Sequence, residues 1–167
     1  MSDDVGAAYL REALRVFRQY KDLGDKAMAQ LEPAGLFRTL DDESNSIAVI
    51  VKHLGGNMRS RWTDFLTSDG EKPDRNRDAE FELTASTTDA DVRRWWEEGW
   101  RYVFAAMEPL RPDDLLRTVT IRGQPHTVIE AIDRQVAHYA YHVGQIVVLA
   151  RHLTGERWQT LSIPKRR

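Results

Sequence analysis

The sequence predicts an all-α fold, an up-down four-helix bundle with a short β-hairpin before the last helix. Three observations carry this expectation. Four segments repeat apolar residues at helical spacing, and the breaks between them hold Pro, Gly and capping residues. One short stretch instead alternates with the period of two expected of a strand. The only long connection falls between the second and third helices, which suits a bundle.

The first helix runs from about Val5 to Leu31, with Ala13, Val16, Phe17, Tyr20, Ala27 and Leu31 as its apolar stripe. Pro33 and Gly35 end it. The segment from Asp41 to Ser46 offers several N-caps for the second helix. That helix carries Ile47, Ile50, Val51, Leu54, Met58, Trp62 and Phe65 on its apolar side. Gly55-Gly56 lies inside it, a pair unfavourable by roughly 1 kcal/mol per Gly against Ala. Such a pair implies either close packing of a neighbour or a kink.

From Thr67 to Thr87 the chain is polar, with turn signals at Asp69-Gly70 and Pro73, and loops of this length are functional or disordered. Thr88 to Asp91 reads as a capping box that opens the third helix, with the stripe Val92, Trp95, Trp96, Val103, Met107 and Leu110. Pro109 and Pro112 close it. Arg117 to Ile121 alternates and meets Gly123-Gln124, the mark of a small hairpin. Thr127 to Glu130 forms a second capping box for the fourth helix, which Gly155 ends.

A chain of 167 residues suits one domain, 1–167, with enough length to bury a core. Hydrophobic residues at 41% and charged residues at 30% are those of an ordinary globular protein. A net charge of −2 gives no electrostatic case for nucleic acid or for an anionic membrane surface. No apolar run approaches the roughly 20 residues of a membrane span. The first residues lack the pattern of a secretory signal, so the expected location is cytoplasmic. Cysteine is absent, which excludes disulfides and Cys-based zinc sites, and any thiol chemistry would need a thiol from outside. The basic tail Pro164 to Arg167 reads as a solvated end.

Of the five histidines, His138 and His142 stand one turn apart on the fourth helix, about 40° around it and roughly 6 Å along it. Two neutral imidazoles so placed can chelate one metal ion. The face they share continues through Arg134, Gln135 and Gln145, a polar stripe on an otherwise apolar helix. Polar side chains turned into a bundle need partners or a ligand, because an unsatisfied one costs roughly 1–3 kcal/mol. His53 borders the buried stripe of the second helix, where a facing helix can present it to the pair. From the residues alone it is either a third ligand or a half-buried histidine hydrogen-bonded to backbone. His152 points away around the fourth helix, and His126 sits in the turn before it.

Several chemistries are disfavoured. A helix-borne zinc protease would read His-Glu-x-x-His, and here Tyr139 follows His138. There is no Gly-x-Ser-x-Gly elbow, phosphate-cradling loop, dinucleotide fingerprint or Glu-x-x-His pair of a di-iron bundle. A mononuclear, His-only site remains.

His53 on the second helix with His138-x-x-x-His142 on the fourth resembles the DinB/YfiT-like superfamily, over nearly the whole chain. The segments Asn45-Ser-Ile47, His53 to Phe65 and Asp69-Gly-Glu71 resemble, more narrowly, a subfamily of unknown function within it. The resemblance implies a DinB-like bundle holding one divalent metal, commonly zinc or nickel, on His53, His138 and His142, with water completing the shell. It also implies frequent homodimers. Relatives include transferases and an isomerase that use low-molecular-weight thiols, which the metal is thought to bind and activate.

The function expected is thus that of a metal-binding protein, a thiol-utilising transferase or hydrolase of a small molecule. Asn57 and Arg61, one and two turns after His53, are candidates to orient a substrate carboxylate or phosphate, and Gln135 to support the site. Alternatively, Arg59 and Arg61 are solvated or pair with Asp64. No catalytic residue is identified. The rival is a non-enzymatic, metal-binding or stress-associated dimeric bundle, since no general base or nucleophile is evident beside the three His. The aromatic surplus Trp95, Trp96, Trp100, Tyr102 and Phe104 is spread around the third helix, where one face can bury against a second subunit.

Overall fold

Phe17, Trp62, Trp100 and Tyr139, one from each of four helices, meet in a single aromatic cluster with ring centroids 5.6–6.3 Å apart. The structure is a computed structural model that describes residues 4–163. The tail from Pro164 to Arg167 lies outside them. Among the described residues the long helices are α1 (Val5–Met28), α2 (Ile47–Trp62), α3 (Asp89–Met107) and α4 (Val128–Thr154). A two-stranded hairpin, β1 (Thr118–Ile121) and β2 (Gln124–Thr127), precedes α4. α2 packs most extensively on α3 and α1 on α4, while α2 also reaches α4.

The capping residues do locally what their types dictate. Ser46 accepts the Val49 N–H at 3.3 Å and starts α2. Thr88 with Asp91 and Thr127 with Glu130 form complete reciprocal capping boxes on α3 and α4. Gly155 ends α4 at φ 61, a backbone region open to glycine. The hairpin register pairs Ile121 with Gln124 across the two-residue turn Arg122-Gly123, both at positive φ (54 and 71) as a type I′ turn requires.

Two helices end earlier than their apolar patterns. α1 stops at Met28, and Pro33–Phe37 forms a 3₁₀ turn that buries Leu36. α2 stops at Trp62, because Asp64 turns the chain at φ 48 and leaves Phe65 to pack from a turn. Gly55-Gly56 does not break α2. It permits close packing: a Cβ at Gly55 would meet the Trp95 carbonyl oxygen at 2.9 Å, and one at Gly56 would overlap the Glu80 carboxylate. Gly99 of α3 answers Gly55, its Cβ position lying 3.1 Å from the Gly55 Cα.

The long 67–87 connection is ordered. Asp69 accepts the backbone N–H groups of Glu71 (2.6 Å), Arg122 (2.9 Å) and Gly123 (2.8 Å), and the Gly70 N–H donates to Thr120 O at 2.8 Å. The loop is thereby tied to the hairpin. It then turns back along α2 and forms a 3₁₀ segment, Asp78–Phe81, against it. The aromatic surplus of α3 is spent inside the molecule: Trp96 and Trp100 are buried, and Trp95, Tyr102 and Phe104 are half-buried against the core. No helix among the described residues is long and apolar enough to cross a membrane.

Candidate metal centre

His53 on α2 and His138 and His142 on α4 converge where these two helices meet. His53 and His142 are buried and His138 is half-buried. The Nε2 of His138 lies 3.1 Å from that of His142 and 3.4 Å from that of His53, and the three ligand atoms all fall within 4.8 Å of one another. His126 and His152 are outside this group, as their positions in the sequence suggested.

The far sides of two rings are already engaged. His53 Nδ1 donates to Glu80 Oε2 at 2.9 Å, and His142 Nδ1 donates to Gln145 Oε1 at 2.9 Å. A hydrogen on Nδ1 leaves Nε2 of each neutral ring with a bare lone pair. Lone pairs this close repel unless a proton or a cation sits between them. The separations also suit a cation: bonds of about 2.05 Å at a tetrahedral ion give ligand–ligand edges of about 3.3 Å. The residues therefore fit a divalent metal on three Nε2 atoms. Burial first, then the neighbouring imidazoles and the charges of Arg61 and Arg75, push the His138 pKa down to about 3. Burial and His53 bring His142 to about 4. Both rings are thus neutral donors near pH 7.

Glu80 anchors the centre, and sequence reasoning did not find it. It is 6% exposed on the Asp78–Phe81 turn. Arg75 grips its carboxylate through Nε to Oε1 (2.8 Å) and Nη2 to Oε2 (2.9 Å). Desolvation raises its pKa, but the bonds from His53 and Arg75 outweigh that and hold it below the usual range, so it stays an acceptor. A carboxylate behind a histidine fixes the ring's tautomer and aim. Phe81, on the same turn, covers the His53 ring at 4.7 Å. Glu80 lies 27 residues from His53 with no periodic relation to it. Its only trace in the sequence is Gly56, which clears the space its carboxylate fills.

The other residues singled out in the sequence come to the same place. Asn57, Arg61 and Gln135 line, with the three histidines, one cavity of about 530 Å³. Asn57 accepts the Tyr139 hydroxyl hydrogen at 3.2 Å, and that hydroxyl in turn accepts from Trp62 Nε1 at 2.9 Å. The aromatic core thus positions the site's amide. Arg61 is neither solvated nor paired with Asp64. It is buried, donating to the Gly70 carbonyl and, at 3.1 Å, to Glu71 Oε2, while its Nε has no partner. Arg59 instead makes an exposed pair with Asp74 at 2.5 Å. Gln135 is 3% exposed with its amide oxygen unpartnered.

Glu71 joins the loop to these groups, accepting from Arg61, Arg75 (3.1 Å) and Arg122 (2.8 Å). The loop, the hairpin and α2 therefore share one hydrogen-bonded network beside the cavity, and Tyr139 of α4 bonds separately to Asn57 of α2.

A family model described as a protein of unknown function (DUF1572) matches residues 4–167. No curated protein and no solved structure matches the chain. With the match spanning nearly the whole chain, the protein belongs to the DUF1572 family, which lies within the DinB/YfiT-like group.

Proposed function

We propose that the protein binds one divalent metal ion, zinc or nickel, through Nε2 of His53, His138 and His142, and uses it on a small-molecule substrate. The observation that carries this is the convergence of three Nε2 atoms whose rings are held from behind by Glu80 and Gln145. An ion in that position supplies Lewis acidity and lowers the pKa of a water or thiol that joins it. This chain's own residues bind and orient. Glu80 keeps the His53 proton on Nδ1, Phe81 covers the ring, and Asn57 presents an amide held by Tyr139.

The enzymatic reading, a thiol-utilising transferase or hydrolase, is supported by the open space above the histidines. The cavity leaves room for a substrate, and no fourth His, Cys, Asp or Glu joins the cluster among the described residues. A purely structural metal would call for a closed shell of four protein ligands. One feature favours the non-enzymatic alternative: no carboxylate lines the cavity among the described residues to serve as a general base. The helices are read as an up-down bundle, and the protein as a cytoplasmic homodimer. Tyr141 and Val148, exposed on α4 at 54% and 63%, are apolar groups that a second subunit would cover if it packed on this helix.

Metal analysis of the purified protein tests the site, with one equivalent expected and a loss on His138→Ala. Undiminished stoichiometric metal in that variant overturns the assignment. Cobalt-substituted protein separates the two functional readings. A change in its absorption spectrum on addition of 2-mercaptoethanol supports an open, thiol-accepting position, and an unchanged spectrum favours the structural role.

A further inference from the structure

Five arginines line the cavity over the histidines: Arg61 and Arg75 at depth, and Arg77, Arg122 and Arg134 at its exposed margin. No acidic side chain lines it among the described residues. The chain as a whole has more Asp and Glu than Lys and Arg, 26 against 24, so this segregation opposes the overall charge.

Neutralisation from behind is incomplete. Glu71 and Glu80 serve Arg61, Arg75 and Arg122, two carboxylates for three guanidiniums. Among the described residues the one carboxylate paired with Arg77 is that of Asp78, 94% exposed and 3.7 Å away, and the guanidinium also lies 5.1 Å over the Phe81 ring, which leaves its charge in place. Arg134 has no hydrogen-bond or ion-pair partner among the described residues. The cavity therefore holds a net positive charge even before any metal adds to it. Arg61 Nε and the Gln135 amide oxygen, both buried without partners, add unspent hydrogen-bonding capacity at its floor.

A guanidinium matches the oxygens of a carboxylate or phosphate with two parallel N–H donors, and a concave cationic wall concentrates such anions. We propose that the cavity binds a small oxyanion, a carboxylate- or phosphate-bearing molecule, with Arg77, Arg122 and Arg134 holding the anionic group. This rests on the metal reading only in placing the molecule's reactive end toward the histidines. The anion-binding wall itself is built from other residues.

Calorimetric titration of the metal-loaded protein with inorganic phosphate and, separately, with succinate tests this at constant ionic strength set by chloride. Saturable binding of at least one probe is expected, and the tighter one assigns the group as phosphate or carboxylate. The Arg77→Gln/Arg134→Gln double variant, altered only at exposed positions, should raise the dissociation constant at least tenfold while keeping its metal. Lys at both positions should restore part of the affinity. Absence of saturable binding by both probes, or equal affinity in wild type and double variant, overturns the proposal. Metal content measured on the same samples keeps the two ideas apart: protein that binds the anion but cannot be loaded with metal refutes the metal reading alone, and protein that takes up one equivalent of metal but binds neither probe refutes only this one.

Discussion

Glu80 Oε2 lies 2.9 Å from Nδ1 of His53, on the side of the ring opposite the Nε2 that faces His138. A carboxylate delivered by a loop thus decides which nitrogen of a helix-borne histidine is free. Glu80→Gln keeps the volume and an acceptor atom but removes the charge, so the affinity for metal should fall about 10–100-fold. Competition against a chromophoric chelator measures it. Unchanged affinity, with only the thermal stability lowered, would show that Glu80 merely braces Arg75.

Glycines in α2 and α4 should respond in opposite directions. An Ala Cβ at position 56 would overlap the Glu80 carboxylate, whereas one at position 144 meets nothing within 4 Å. Helix propensity alone favours Ala by about 1 kcal/mol. Gly144→Ala should therefore stabilise by about 0.5–1 kcal/mol. Gly56→Ala should destabilise by about 1–2 kcal/mol, because overpacking outweighs propensity, and should weaken metal binding as well. Denaturant midpoints of the two variants, measured side by side, decide it. Stabilisation by Gly56→Ala would be inconsistent with a packed Glu80.

Acid should weaken the metal-free protein early. His138 and His142 titrate at about 3 and about 4 when folded, against about 6.5 in an unfolded chain. Between these values the unfolded state binds more protons, so stability rises with pH. It is full above about pH 6.5 and falls steadily as pH drops toward 4. Melting temperatures from pH 8 to 4 in the presence of a chelator should show this decline, and His138→Gln should flatten it. A profile level from pH 7 to 5 would contradict the buried, neutral state of these rings.

The loop's attachment has its own signature. Asp69 binds three backbone N–H groups of its own loop and of the hairpin turn. Partial desolvation raises its pKa, but these bonds prevail and bring it to about 2. Asp69→Ala should destabilise the protein by about 1–3 kcal/mol. It should also speed amide exchange at Arg122 and Gly123, which hydrogen exchange resolved by residue would detect. Unaltered exchange at both amides would remove Asp69 as the tie.

Much was determined by the sequence alone. Thr88 and Thr127 cap the helices they were expected to cap, Ser46 is the one used of the several N-caps expected before α2, and the alternation before Gly123 is a hairpin, because capping and turn chemistry act over only a few residues. The i, i+4 spacing places His138 and His142 side by side whatever surrounds the helix. Tertiary structure decided the rest. Whether His53 was a third donor or a satisfied core histidine depended on how α2 meets α4, and no local pattern encodes that. Arg61 was legible as polar but not as spoken for, since Gly70 and Glu71 reach it only after the loop folds back onto the hairpin. Glu80 and Arg75 lay in a polar stretch without period. Loop residues take their roles from docking, and docking is a property of the assembled surfaces rather than of neighbours along the chain.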